Sequence, residues 1–119
     1  MPSVCCYFQV HQPFRLRRFS YFESPQGFDY FDEQANRDIM RKVASKCYLP
    51  TNETILRLIE KHDGQFKVSY AITGVAIEQF VRYSPETLAS FQRLAETGFV
   101  EFIGETYYHS LAAVFNWDE

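Results

Sequence analysis

Three short stretches of the chain carry the side chains best able to do chemistry: His11-Gln12, Thr73-Gly74 and the run from Glu101 to His109. They offer imidazoles, a carboxamide, a hydroxyl and carboxylates, and each stands in or just after a segment patterned as a strand. In parallel α/β folds, groups beyond the carboxyl ends of the strands converge on one site, however far apart they are in sequence. The two-residue strand period puts Tyr7, Gln9 and His11 on one side of the first strand. A histidine closing a strand is often structural. Its place before Gln12-Pro13 and a long loop gives the functional reading of His11 equal weight.

Glu101 and Glu105 invite a geometric test. Four residues apart on a regular strand, they share a face at about 13 Å. Paired carboxylates that cleave a glycosidic bond sit roughly 5 to 9.5 Å apart. Unless Gly104 bends the chain sharply, these two are too distant to act as such a pair. Glu101, set among Phe99, Val100, Phe102 and Ile103, reads as lining a polar pocket, whereas Glu105 reads equally well as a solvated charge at a sheet edge.

Other candidates are weaker. Asp29, Asp32, Glu33 and Asp38 lack the spacing and glycine of a calcium loop and read as a solvated acidic face. Cys5, Cys6 and Cys47 are odd in number and two are adjacent, which suits reduced, buried thiols rather than a disulfide framework. His62, on a helix face, reads as structural. No phosphate-binding glycine loop and no Gly-x-Ser-x-Gly turn is present. Phe19, Tyr21, Phe22, Phe28, Tyr30 and Phe31 crowd the first loop. Aromatic faces stack on flat ligands, but packing the loop onto its fold is the favoured reading.

The elements that must position these groups follow from periodicity. Ser3 to His11 is apolar on both faces, as a sandwiched parallel strand should be, and Pro13 stops it. The spacing predicts a helix from Gln34, with Ile39, Met40, Val43, Ala44 and Cys47 on one stripe and Pro50 as its end. Thr51 then caps a second helix carrying Ile55, Leu58, Ile59 and His62, closed by Gly64. Lys67 to Ile72 alternates as a strand. Thr73-Gly74 opens a helix with Ala76, Phe80 and Tyr83, and Ser84-Pro85-Glu86 starts another with Leu88, Phe91, Leu94 and Ala95. After Gly98, Phe99 to Ile103 is a third strand. The order predicts an α/β fold with parallel strands and crossover helices. Three strands with open, apolar edges look like the opening portion of a larger barrel.

The 119 residues are 46% hydrophobic and 23% charged, within the globular range. The net charge of -3 lacks the basic surface that phosphate backbones require, so no nucleic acid is expected as partner. No apolar run approaches a membrane span and no signal peptide is visible, so a cytoplasmic protein is expected. The aromatic content of 18% stands out, and these residues are not all on core-like periodic positions, while the charge leaves a neutral partner open.

On this footing the chain resembles a known family. Tyr7-Phe-Gln-Val-His-Gln-Pro-Phe-Arg-Leu16 is similar to the first signature region of glycoside hydrolase family 57. Gly98-Phe-Val-Glu-Phe-Ile-Gly-Glu-Thr-Tyr-Tyr-His-Ser-Leu111 resembles the second region in its α-amylase-like form. The resemblance implies that residues 1–119 are the N-terminal portion of a (β/α)7 catalytic barrel. It also implies retaining hydrolysis or transfer of α-1,4-glucan chains, without a metal or other cofactor. By family pattern His11 and Glu101 contact the sugar at the cleavage subsite, with Gln12 and His109 close by. The family's nucleophilic Glu and acid/base Asp come from later signature regions with no match before Glu119, so no catalytic carboxylate is expected here and the 119 residues alone are expected to be inactive. Two other readings compete: a metal-dependent polysaccharide deacetylase or mannosidase-like enzyme using His11 as ligand, and a non-catalytic α/β binding module.

Overall fold

A computed structural model of the chain describes residues 2–20, 22 and 30–115. Its sheet has three parallel strands, β1 (Cys6–Val10), β2 (Val68–Ile72) and β3 (Val100–Ile103), in the spatial order β1-β2-β3. The register is unbroken, with Tyr7 beside Ser69 and Ser69 beside Glu101, then Gln9 beside Ala71 and Ala71 beside Ile103. Spatial order following chain order is what a singly wound sheet gives, in contrast to the reversal of a doubly wound fold.

Between β1 and β2 run α1 (Glu33–Val43) and α2 (Leu49–Lys61), and between β2 and β3 run α3 (Gly74–Tyr83) and α4 (Pro85–Glu96). A short helix α5 (Ala112–Phe115) follows. Asp32 caps α1 by accepting from the Ala35 amide at 2.9 Å, so this acid is a helix cap. Pro50 does not end the first helix. The chain passes from α1 into α2 through a π-helical turn, Ala44–Tyr48, and Pro50 stands in the first turn of α2. Proline is tolerated there because its missing N–H and its ring both sit where the ladder is already loosened by the wider turn. Thr51 accordingly lies inside α2 and caps nothing.

All the large buried side chains lie between these helices and one face of the sheet. Val10, Val68, Tyr70 and Val100 from the strands meet Met40, Ile55, Ile59, Phe80, Phe91 and Leu94 from the helices. At the centre the Phe80 and Phe91 rings stack at 5.7 Å, with the Tyr70 ring edge-on to Phe91 at 5.4 Å. The other face, carrying Tyr7, Gln9, Ser69, Glu101 and Ile103, has no helix against it among the described residues.

The polar groups inside this core are joined in a line. The Tyr70 hydroxyl donates to Asn52 Oδ1 at 3.3 Å, Asn52 Nδ2 donates to Ser90 Oγ at 2.8 Å, and Ser90 Oγ donates to the Thr87 carbonyl at 2.7 Å. Burial pushes the Tyr70 phenol up to about 12, so it stays a donor at any working pH.

The aromatic loop after β1 is more ordered than a long loop suggests. Leu16 and Phe31 form an antiparallel bridge, supported by the Arg17 amide on the Tyr30 carbonyl and the Asp32 amide on the Arg15 carbonyl, both at 2.9 Å. The expected packing of its rings does not hold throughout. Phe22 is 93% exposed, and Phe19, Tyr30 and Phe31 keep substantial open surface; Tyr21 and Phe28 lie outside the described residues. The thiols depart from expectation as well: Cys5 and Cys47 are exposed and Cys6 is half-buried.

Replacing Asn52 with Ala strands the buried Tyr70 hydroxyl, since it removes the middle of the line and both of its bonds at once. Chemical unfolding is expected to show a loss of about 2 kcal/mol, the cost of an orphaned buried donor; an unchanged midpoint would mean that water substitutes for the carboxamide.

Candidate functional site

The strands deliver their next residues to one end of the sheet. Continuing the register, His11 follows Val10, Thr73 follows Ile72, and Glu105 comes two residues after Ile103. Thr73 is the junction. Its hydroxyl accepts from the Ala76 amide at 3.3 Å as the cap of α3, and its own amide donates to the Val10 carbonyl at 3.1 Å. The same oxygen lies 3.0 Å from His11 Nδ1, so the helix cap and the imidazole share one atom.

A second imidazole arrives from the segment after β3. The His109 and His11 rings lie 5.0 Å apart and tilted by 35°. His109 has a φ of 62°, a left-handed backbone that a non-glycine residue holds at a cost of order 1–3 kcal/mol. What holds it is a tight polar group. Gln9 Nε2 donates to Glu105 Oε2 at 3.0 Å and lies 2.7 Å from His109 Nδ1, which is itself 3.2 Å from Glu105 Oε2.

These three contacts cannot all be hydrogen bonds at once. A bare Nδ1 accepts from Gln9, and then meets the carboxylate as a second acceptor. A protonated Nδ1 donates to Glu105, and then faces the Gln9 N–H. Which pair of bonds forms is set by the tautomer of His109. The other Glu105 oxygen, Oε1, is buried with no partner among the described residues.

The loop carrying His109 is pinned from behind. The Val75 amide donates to the Tyr107 carbonyl at 3.1 Å, and the Tyr107 hydroxyl donates to Glu78 Oε2 at 2.8 Å. Glu78 is paired in turn with Arg82 at 2.6 Å. Gly74 is required at this point, because a Cβ there would overlap the Tyr107 ring.

Of the residues singled out in the sequence, His11 and His109 are brought together, and Gln9, Thr73 and Glu105 complete the group. Gln12 turns away. Its Nε2 donates to the Tyr48 hydroxyl at 3.2 Å and its Oε1 accepts from Arg15 at 2.9 Å, so it ties the loop to the helical layer. Glu101 lies in the row of Tyr7 and Ser69, where its Oε2 accepts from Ser69 Oγ at 3.2 Å. That row is four residues below His11, about 13 Å along the strand. Glu101 there borders an open hollow of about 540 Å³ at the amino ends of the strands, with Val4, Cys5 and Lys67. Glu101 and Glu105 thus have separate partners at separate heights. Gln9 was readable from the strand period, since it falls on the face of His11; that Glu105 shares this face follows only from the register across the sheet. Their convergence on His109 likewise required the structure.

Chemically, two imidazoles, a carboxamide and one carboxylate present hydrogen-bond donors and acceptors at this end of the sheet. Among the described residues, no group of three or more His, Cys, Asp and Glu side chains is arranged to hold a metal ion. No helix among them is long and apolar enough to cross a membrane.

Comparison with known proteins bears on what the ligand is. The sequence matches the model of "Glycosyl hydrolase family 57" over residues 5–119. The chain belongs to glycosyl hydrolase family 57. Within that family setting, it is 44% identical over 117 residues to a protein of Methanocaldococcus jannaschii named "Putative alpha-amylase". The match takes in 94% of this chain and 24% of that protein, so the chain spans well under a third of its relative's length. No solved structure matches at a significant level.

Burial and the nearby His109 hold the His11 imidazole below its ordinary value of 6.5, with Glu105 pulling weakly the other way. Its contribution to stability is therefore full above that ordinary value and is lost as the pH falls from there through the lower folded value. In a ring-proton titration by NMR, His11 is expected to move up towards 6.5 when His109 is replaced by Ala, and further down in Glu105→Gln. An unchanged His11 titration in His109→Ala would mean that the two rings do not interact.

Proposed function

We propose that this chain is the sugar-holding wall of an α-glucan-processing enzyme, the N-terminal portion, residues 1–119, of a family 57 catalytic barrel. The observation that carries it is the meeting of His11 and His109 at the carboxyl end of a singly wound parallel sheet, in a chain that matches the family over residues 5–119. Family membership supports a glycosidic substrate, and the name of the Methanocaldococcus relative supports an α-1,4-glucan.

The uncovered sheet face is then the interior of the barrel, which further strands would close against the β3 edge. His11 and His109 orient sugar hydroxyls at the cleavage subsite. Glu101, lower on the same face, lines the barrel interior beneath them and meets the sugar if closure draws the ligand inward. Gln12 acts at one remove by fixing the backbone after His11. The bond itself is broken in a retaining mechanism by a nucleophilic Glu and an acid/base Asp from later segments, since both carboxylates are needed to form and resolve a glycosyl-enzyme. No metal or cofactor is called on, and the location is cytoplasmic.

Ligand-observed NMR with maltotriose tests this reading. The 119-residue chain is expected to bind the sugar weakly, to lose at least tenfold in affinity on His11→Ala, and to be unaffected by His62→Ala. It is expected to release no reducing ends. Turnover by these 119 residues alone would overturn the assignment of the bond-breaking carboxylates to later segments.

A further inference from the structure

Beside His11 lies a second hollow, of about 310 Å³, lined by Phe14, Phe31, Val75, Glu78 and Tyr108 together with His11 itself. Its walls come from three places in the chain. Phe14 and Phe31 belong to the loop after β1, with ring centres 5.1 Å apart and planes tilted by 46°. Tyr108 comes from the segment after β3, and Val75 and Glu78 from the first two turns of α3. The volume is at the lower end of ligand pockets, about 300 to 1,000 Å³, and suits one small ring rather than a large cofactor.

The lining has two chemistries. Phe31 and Tyr108 are 41% and 72% exposed, two open aromatic faces at the rim of a concave site. Glu78 is the acceptor, and it is held rigidly: Arg82 Nη2 sits 2.6 Å from one oxygen, and the Tyr107 hydroxyl donates to the other at 2.8 Å. Arg82 is itself fixed above the Phe14 ring, 5.6 Å from its centre. A carboxylate oxygen offers two lone pairs, so acceptor capacity remains after these bonds. Arg82 offsets the Glu78 charge only in part, because Arg82 Nη1 also faces Glu33 Oε1 at 3.7 Å, so Glu78 remains an electron-rich acceptor for hydroxyl donors. Apolar faces beside a fixed acceptor and an imidazole match a pyranose, whose C–H face is apolar and whose rim is hydroxyl.

We propose that this hollow is a distinct sugar subsite, taking one pyranose ring of a neutral oligosaccharide next to the ring held at His11 and His109. The ring lies against Phe31 and Tyr108, and its hydroxyl edge meets Glu78. The assignment rests on the carbohydrate reading above and adds to it the residues that set how the chain of sugars leaves the first site.

The test uses the 119-residue chain with maltotriose as probe. Phe31→Ala and Tyr108→Ala alter exposed rings and are expected to leave the melting midpoint in place. Each should weaken maltotriose about tenfold, and intermolecular NOEs should join sugar ring protons to the Phe31 and Tyr108 rings. Full affinity in both variants, alongside loss in His11→Ala, overturns the subsite while leaving the carbohydrate reading intact. Failure of the unaltered chain to bind maltotriose overturns both. Displacement of maltotriose by cyclohexanol at equal concentration also overturns the subsite, because it identifies an apolar groove with no use for the hydroxyl rim.

Discussion

The hydroxyl of Thr73 is the point on which the end of the sheet depends. One oxygen caps α3 through the Ala76 amide and stands 3.0 Å from His11 Nδ1. The Thr73 amide, bonded to the Val10 carbonyl, extends the β1–β2 ladder by one rung at the same place. Strand pairing, helix start and imidazole position are therefore set together. Thr73 is fully buried, so this junction exchanges no bonds with water. Everything beyond it, from the Gly74 contact with Tyr107 to the strained turn at His109, is laid over that fixed corner.

The sheet is finished on one side only. Phe80, Phe91 and Tyr70 fill the side facing the helices, and the line from Tyr70 through Asn52 to Ser90 satisfies the polar groups trapped there. The opposite face has no such cover among the described residues, and the residues that touch ligand in the proposed function all belong to it or to the loops above it. A domain whose core lies on one face and whose chemistry lies on the other divides its sequence by the parity of each strand position. Val68 and Tyr70 answer to folding, Ser69 and Glu101 to what fills the face beyond.

That parity is why so much could be read from the residues alone. The three strands, the helices after Thr73 and Ser84, and the parallel α/β order all announce themselves through period, the Thr73 cap and Pro85, although the Ser84 hydroxyl turns to Glu86 and Thr87 and caps nothing. Glycine marks two of the ends, Gly64 and Gly98, both with a φ of 74°. His11 stands out because it closes the first strand, whereas His109 lies six residues past β3 and stands out through the family pattern. What failed depended on contacts between distant segments. Pro50 reads as a helix end, and only the π-helical turn before it lets α1 run on into α2. Gln12 reads as a neighbour of His11, but Tyr48 and Arg15 draw its side chain the other way. Glu101 reads as a companion of His11, and only the register shows that it stands four residues lower on the same face. The exposed thiols of Cys5 and Cys47 show the limit of judging burial by residue type.

The same register has a consequence for shape. On the uncovered face the central strand presents Ser69 and Ala71 and then Thr73, while the outer strands present Tyr7, Gln9 and His11 on one flank and Glu101, Ile103 and Glu105 on the other. Small groups run down the middle and large ones down both sides. At the upper end the two walls meet: Gln9 Nε2 donates to Glu105 Oε2 at 3.0 Å above Ala71, which is 1% exposed. Whatever approaches this end of the sheet therefore meets a bridge between the outer strands before it meets the strand beneath.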